Sequence, residues 1–127
     1  MSLNERFLKA IRKKARRGFS GYPIGTIAFY GPNDRLASKV AASVTLAEGA
    51  EPHIERWLHE DTDIRKEPTV LEQVLAFFHL HCVKSVVLTD RIIGCPHEEG
   101  IDYPEGTKCP SCPFWASRDR WSGERIQ

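Results

Sequence analysis

Residues 94–115 read "GCPHEEGIDYPEGTKCPSCPFW", and four side chains within them have the chemistry of metal ligands: Cys95, His97, Cys109 and Cys112. Thiolate sulfur and imidazole nitrogen are donors that zinc accepts, and four of them complete a tetrahedron. Cys109 and Cys112 form a C-x-x-C pair, a spacing that lets one tight turn aim both sulfurs at a single ion. Pro110 between them restricts the turn and lowers the entropic cost of ordering it. Cys95 and His97 form a C-x-H pair upstream, spaced more closely than is usual in structural zinc sites. Between the pairs, Pro104 and Gly106 suit a reversal of the chain. Cys82 is left over and reads as a small buried hydrophobe on the apolar face of a helix. Three clustered cysteines cannot all pair as disulfides, whereas Cys3His is a full zinc shell, so zinc is the expected cofactor.

Catalytic zinc keeps a coordination position open for water. With four ligands the expectation is a structural ion, and the segment resembles a zinc ribbon over residues 94–115. Other readings stay open. "CPHEEG" resembles the first box of Rieske proteins, but Cys112 stands where that family has a second histidine. A Cys3His iron–sulfur centre is then the alternative. "CPSC" is similar to the redox dithiol of glutaredoxin-like proteins, which carry it early in the chain and not near the end. "HEE" and then "KCPSC" resemble the zinc deaminases, whose second cysteine pair is preceded by proline where this chain has Lys108. A small hydrolase or deaminase-like metalloenzyme would draw its general base from Glu98 or Glu99, or use Asp90 nearby. As a whole the chain resembles small bacterial proteins that carry such a Cys3His segment, and that resemblance implies no activity.

The elements that must position this segment are α+β. Asn4 is a plausible cap for a helix over residues 5–17, with Phe7, Leu8, Ile11, Ala15 and Phe19 at helical spacing. Gly18, Gly21 and Pro23 end it. "TIAFYG" and "SKVAASVTL" flank the turn "GPND" and predict a hairpin, with Val40, Ala42, Val44 and Leu46 on one face and Lys39, Ala41, Ser43 and Thr45 on the other. "HIERWLHE" predicts a third strand and completes an antiparallel three-stranded meander. "TVLE" at 69–72 has the pattern of a capping box, succeeded by Leu71, Val74, Leu75, Phe78 and Cys82 on one helix face. "KSVVLTD" reads as a further, buried strand ending at Asp90. A strand, a helix and a strand in succession favour a parallel crossover. The element order then resembles the first half of a ribonuclease-H-like sheet, although the paired metal-binding carboxylates of those nucleases are not apparent on the first strand. The organisation expected is a single domain over 1–127, with its α+β core at 24–90.

Composition bounds the function. In a chain of 127 residues, 41% are hydrophobic and 28% charged, which is ordinary for a globular protein. No apolar run suits a membrane span. The first residues lack the apolar core of a secretory signal, which points to a reducing cytoplasm and to thiols over disulfides. The net charge of +1 conceals a division. Residues 1–21 carry seven Lys/Arg against one acid, and the remainder is acidic. Arg12, Lys13, Arg16 and Arg17 are therefore the candidate contacts for nucleic acid or an acidic protein. The tail "PFWASRDRWSGERI" mixes aromatic residues with arginines, a combination that stacks on bases or packs against the knuckle. His79 and His81 lie two apart on a helix and cannot easily share an ion. The expectation is a zinc-stabilised module that binds a protein or nucleic acid.

Overall fold

Alternating apolar and small polar residues build the sheet that carries the cysteine-rich segment. The computed structural model describes residues 3–107 and 109–117, apart from the side chains of Asn4, Asp90, Ala116 and Ser117. β1 (Ile24–Tyr30) and β2 (Lys39–Thr45) pair antiparallel, with Ile27 opposite Ala42 and Phe29 opposite Val40. β3 (His53–Leu58) adds antiparallel to β2, and β4 (Ser85–Ile92) runs parallel to β1 along its other side. The strand order is β3-β2-β1-β4, so the meander belongs to a mixed sheet. Helix α2 (Pro68–Leu80) supplies the long connection that a parallel return requires.

One face of the sheet is the core. Ile27, Phe29, Val40, Ala42, Val44 and Val86 are buried there. Phe78 of α2 lies so close over β1 that a Cβ at Gly25 would come within 2.8 Å of its ring. Leu8 and Ile11 of α1 (Leu3–Arg16) join this core, while Arg12, Lys13, Arg16 and Arg17 are exposed. The other face carries Thr26, Ala28, Tyr30, Ala41 and Ser43, none of them fully buried. No helix among the described residues is long and apolar enough to cross a membrane.

Several local expectations are corrected. Asn4 lies inside α1, which begins at Leu3, so it does not cap the helix. Phe19 leaves the apolar stripe because Gly18 turns the chain with φ +72°, and it is 71% exposed. Leu46 falls beyond the end of β2 and is also exposed. The capping box does not form. Pro68 opens α2 behind Glu67, which makes no side-chain cap, and Thr69 is already helical. Proline has no N–H to satisfy and its φ is preset for a first turn, so it decides the start. Cys82 is not on the helix either. It lies past the end of α2 in a left-handed conformation, φ +54°, and is exposed.

The two outer strands are less covered than the inner pair, although the sequence pattern predicted a buried β4. β3 is an edge strand, and only Trp57 is partly covered, by Phe77 in an edge-to-face contact and a hydrogen bond from Nε1 to Gln73. β4 is buried at Ser85, Val86 and Ile92, whereas Val87 is exposed. It also runs two residues beyond Asp90. Ala28 pairs with Thr89 but Phe29 with Ile92, so Asp90 and Arg91 form a bulge. A bulge bends its strand and re-aims the chain beyond it. Here that chain is Ile93, Gly94 and Cys95, the approach to the first candidate ligand.

Asp63 fixes the link from β3 to α2, within a 3-10 turn (Ile64–Lys66) that the sequence pattern did not announce. Its carboxylate is 8% exposed and accepts from the backbone N–H groups of Ala37 and Arg65 and from the Arg65 guanidinium, at 2.6 to 3.2 Å. Burial works to raise its pKa, and the hydrogen bonds from Arg65 and Ala37 outweigh it and hold the group below the ordinary carboxylate value. We expect Asp63→Ala to cost about 2 kcal/mol at neutral pH in urea denaturation, because a buried amide and a guanidinium lose their acceptor. A depressed folded pKa gives stability above the unfolded value of 3.8 that is lost as pH falls through the folded one. The difference between the two proteins therefore closes in acid below that value.

Candidate metal centre

The residues after β4 are fastened to the sheet before they reach the first ligand. Ile93 N–H donates to Phe29 O at 3.0 Å, and Gly31 N–H donates to Gly94 O at 2.8 Å. From the other side, Trp115 in the final 3-10 turn (Pro113–Ser117) donates its Nε1–H to Gly31 O at 2.7 Å. Position 31 must be glycine, since a Cβ there would lie 1.8 Å from Leu36 O. Both ends of the cysteine-rich segment thus meet at one residue, Gly31, just after β1. Cys95 and Cys112 become buried beside the core, and His97 and Cys109 stay half-buried.

The four predicted ligands converge. One donor atom from each of Cys95, His97, Cys109 and Cys112 lies within 4.8 Å of all the others. His97 Nδ1 stands 3.2, 3.4 and 3.5 Å from the sulfurs of Cys95, Cys109 and Cys112. A ring nitrogen has one hydrogen or one in-plane lone pair, enough for one good hydrogen bond and not three. Three near-equal distances from one apex are compatible with a coordination shell. With bonds of about 2.3 Å to sulfur and about 2.0 Å to nitrogen, a tetrahedron puts each sulfur about 3.5 Å from the nitrogen. The C-x-H spacing works because the His97 backbone N–H turns back to the Cys95 sulfur at 3.3 Å. Among the described residues no other group of three or more such side chains has this closeness.

Burial disfavours isolated thiolates at the centre. Burial pushes the Cys95 thiol up to about 12; the His97 backbone N–H opposes the rise, and the neighbouring Cys112 and Cys109 add to it. Cys112 is raised as well, by burial first. Sulfurs crowded in this way become thiolates only when a metal ion takes the place of their protons. All four cysteines are free thiols, including exposed Cys82.

The predicted carboxylates have other employment. Glu98 is gripped by Lys39 Nζ at 3.2 Å and by Arg56 Nη2 at 2.9 Å. Burial would raise its pKa, but Lys39 and Arg56 hold it below the ordinary range. Glu99 accepts from Gly106 N–H at 2.7 Å and so braces the loop between the ligand pairs. Asp102 accepts from Glu98 N–H at 2.7 Å. Asp90 lies in the β4 bulge, and its side chain is outside the described residues. Lys108 and residues 118–127, with the arginines and Trp121 of the tail, are also outside them. His79 and His81 belong to no such cluster; the His81 ring stacks on His53 at 5.3 Å and meets Phe77 edge-on.

Three contributors were not found from the sequence. Lys39 is only 5% exposed, with Nζ donating to Pro96 O at 2.9 Å as well as to Glu98. The one available signal was a lysine at the start of an otherwise apolar and small strand. Arg56 looked like an ordinary outward residue of β3. Gly31 looked like half of a turn. We expect Trp115→Phe to lower stability by about 1–2 kcal/mol in urea denaturation, because Gly31 O loses its donor in a buried position. Compared with known proteins, the chain matches no family model, no curated protein and no solved structure, so the resemblance to small bacterial proteins has no match behind it and the site itself must carry the functional reading.

Proposed function

We propose that this protein is a zinc-stabilised interaction module, in which one zinc ion held by Cys95, His97, Cys109 and Cys112 shapes the C-terminal segment and the basic face of α1 binds nucleic acid. The observation that carries the metal is the single Nδ1 atom set 3.2–3.5 Å from three sulfurs. Three thiolates and one imidazole in a tetrahedron suit zinc. A two- or four-iron cluster spreads its cysteines over different irons, farther apart than the 4.8 Å that contains this whole set. Four protein ligands also fill the shell, which favours a scaffold over a catalytic ion. Glu98 and Glu99 support the same conclusion, since each is committed to a contact that holds the fold. Three clustered free thiols fit a reducing, cytoplasmic setting.

Charge and placement support the basic face of α1 as the partner surface. α1 packs on α2 and β4, with Leu8 and Ile11 inward and Arg12, Lys13, Arg16 and Arg17 exposed. The acidic loop residue Glu98 instead joins Lys39 and Arg56, whose partners in the register place them on the other face of the sheet. The basic surface is thereby separated from the acids that would repel phosphate.

Freshly purified protein is expected to be colourless and to hold about one zinc per chain by elemental analysis. Cobalt substitution should give the visible bands of a tetrahedral thiolate site, and Cys109→Ser should weaken retention of the ion against a chelator. Acid-labile sulfide with strong visible colour, or no metal at all, would sink the zinc assignment. For the partner, Arg16→Glu with Arg17→Glu is expected to reduce duplex DNA binding in low salt at least tenfold while urea stability stays unchanged. Wild-type binding that does not weaken as salt rises would remove nucleic acid as the partner.

A further inference from the structure

Beside the candidate metal centre, a cavity of about 490 Å³ opens between the knuckle and the outer face of the sheet. Leu36, Leu58 and Ile101 supply an apolar side, and Lys39, Arg56 and His97 supply polar groups from the floor and wall. Two of these apolar residues are conspicuous, since Leu58 is 67% and Ile101 74% exposed. A large aliphatic side chain left in water is ordinary by itself. Two of them rimming one concave site with cationic groups is the composition of a small-molecule pocket, and the volume falls in the range of such pockets.

The polar side has donors to spare. Arg56 uses Nη2 on Glu98, which leaves Nε–H and the other guanidinium nitrogen without a protein partner among the described residues. Lys39 spends two of its three hydrogens on Pro96 O and Glu98. His97 turns Nδ1 to the sulfurs. With Nδ1 ligating, the hydrogen of the ring sits on Nε2, and no protein acceptor takes it among the described residues. Lys39 and Arg56 are the cations of the lining and Glu60, Glu98 and Asp102 its carboxylates, so the spare N–H groups of Arg56 and His97, not a net positive charge, are what the site offers an anionic head. A polyanion would meet those carboxylates. A molecule with one anionic head and an apolar body would not need to.

We infer that this cavity binds a small amphipathic anion, with its carboxylate or phosphate oxygens on Arg56, Lys39 and His97 and its aliphatic body on Leu36, Leu58 and Ile101. The inference rests on the metal reading, because the ligands on either side of Pro96 hold the cavity wall in place.

The test is a titration of the full-length, metal-loaded, 15N-labelled protein with octanoate, octyl phosphate and octanol, monitored by amide and Arg56 Nε–H shifts. Metal content is measured on the same sample. Saturable shifts around Lys39, Arg56 and Ile101 are expected with at least one of the two anions and not with octanol, and the anion that binds more tightly identifies the head group. Arg56→Gln and Leu58→Asp, both at well-exposed positions on an edge strand, are each expected to weaken binding about tenfold or more. The inference is overturned if octanol binds as well as the anions, if neither anion saturates at millimolar concentration, or if Arg56→Gln leaves affinity unchanged. Zinc present without anion binding sinks this inference alone; anion binding without zinc sinks the metal reading and removes the metal-held wall and His97 from the inferred site.

Discussion

Gly31 is the constraint on which the C-terminal part of the structure depends. Its N–H and its carbonyl are both used, by Gly94 on one side and by Trp115 on the other. These partners flank the ligand set in sequence, Gly94 just before Cys95 and Trp115 just after Cys112. One residue just after β1 therefore closes the segment into a loop whose ends are fixed before any ion is considered. The close approach demands a residue without a side chain, since Leu36 O occupies the space where a Cβ would stand. Fixing the ends lowers the entropy that a metal must overcome in gathering four ligands. An ion held by the four ligands would constrain the same loop that Gly31 closes.

The ligand set was legible in the sequence because its information is local. Cys109 and Cys112 are within one turn of each other, and so are Cys95 and His97. The paired strands were legible for a similar reason, as Val40, Ala42 and Val44 alternate with smaller or polar residues. The hidden features depend on contacts distant in the chain. Lys39 reads as an outward lysine until the segment at Pro96 and Glu98 covers it, almost sixty residues later. Val87 reads as core in a run of β-branched residues, yet it is exposed on the outer face of the sheet. The capping box at Thr69 matched a local rule, and a stronger local rule, proline at the first helical position, displaced the helix start. Cys82 kept the helical period past the point where the helix stops.

The acids around the knuckle show how placement changes a residue's meaning. Two glutamates after a metal-binding histidine have the composition of a catalytic site. In the fold Glu98 instead meets a lysine that is almost wholly buried and an arginine on the neighbouring strand. A buried ammonium is costly unless an opposite charge and further hydrogen bonds accompany it. Lys39 has both, because the residue after Cys95 offers its carbonyl and the residue after His97 offers its carboxylate. A general base works best with a pKa near the working pH. Glu98 is held in the opposite direction, below the ordinary carboxylate range. Its role is to compensate charge.

That compensation ties the candidate metal site to the sheet electrostatically as well as sterically. Cys95 and His97 bracket Pro96, so an ion that fixes the two ligands also fixes the carbonyl that accepts from Lys39. Glu98 comes directly after and reaches across β2 to Arg56 on β3. Ligand geometry, a buried lysine and the edge strand are therefore linked through four consecutive residues, 95–98. The link also divides the charge of the molecule. Glu98 of the knuckle is drawn toward Lys39 and Arg56 on the outer face, and the exposed arginines and Lys13 of α1 lie on the helix that packs over the core face. A chain with almost no net charge thereby presents two unlike surfaces. Had Glu98 faced solvent freely, Lys39 would have lacked its counter-ion and β2 could not have buried its first residue beneath the knuckle.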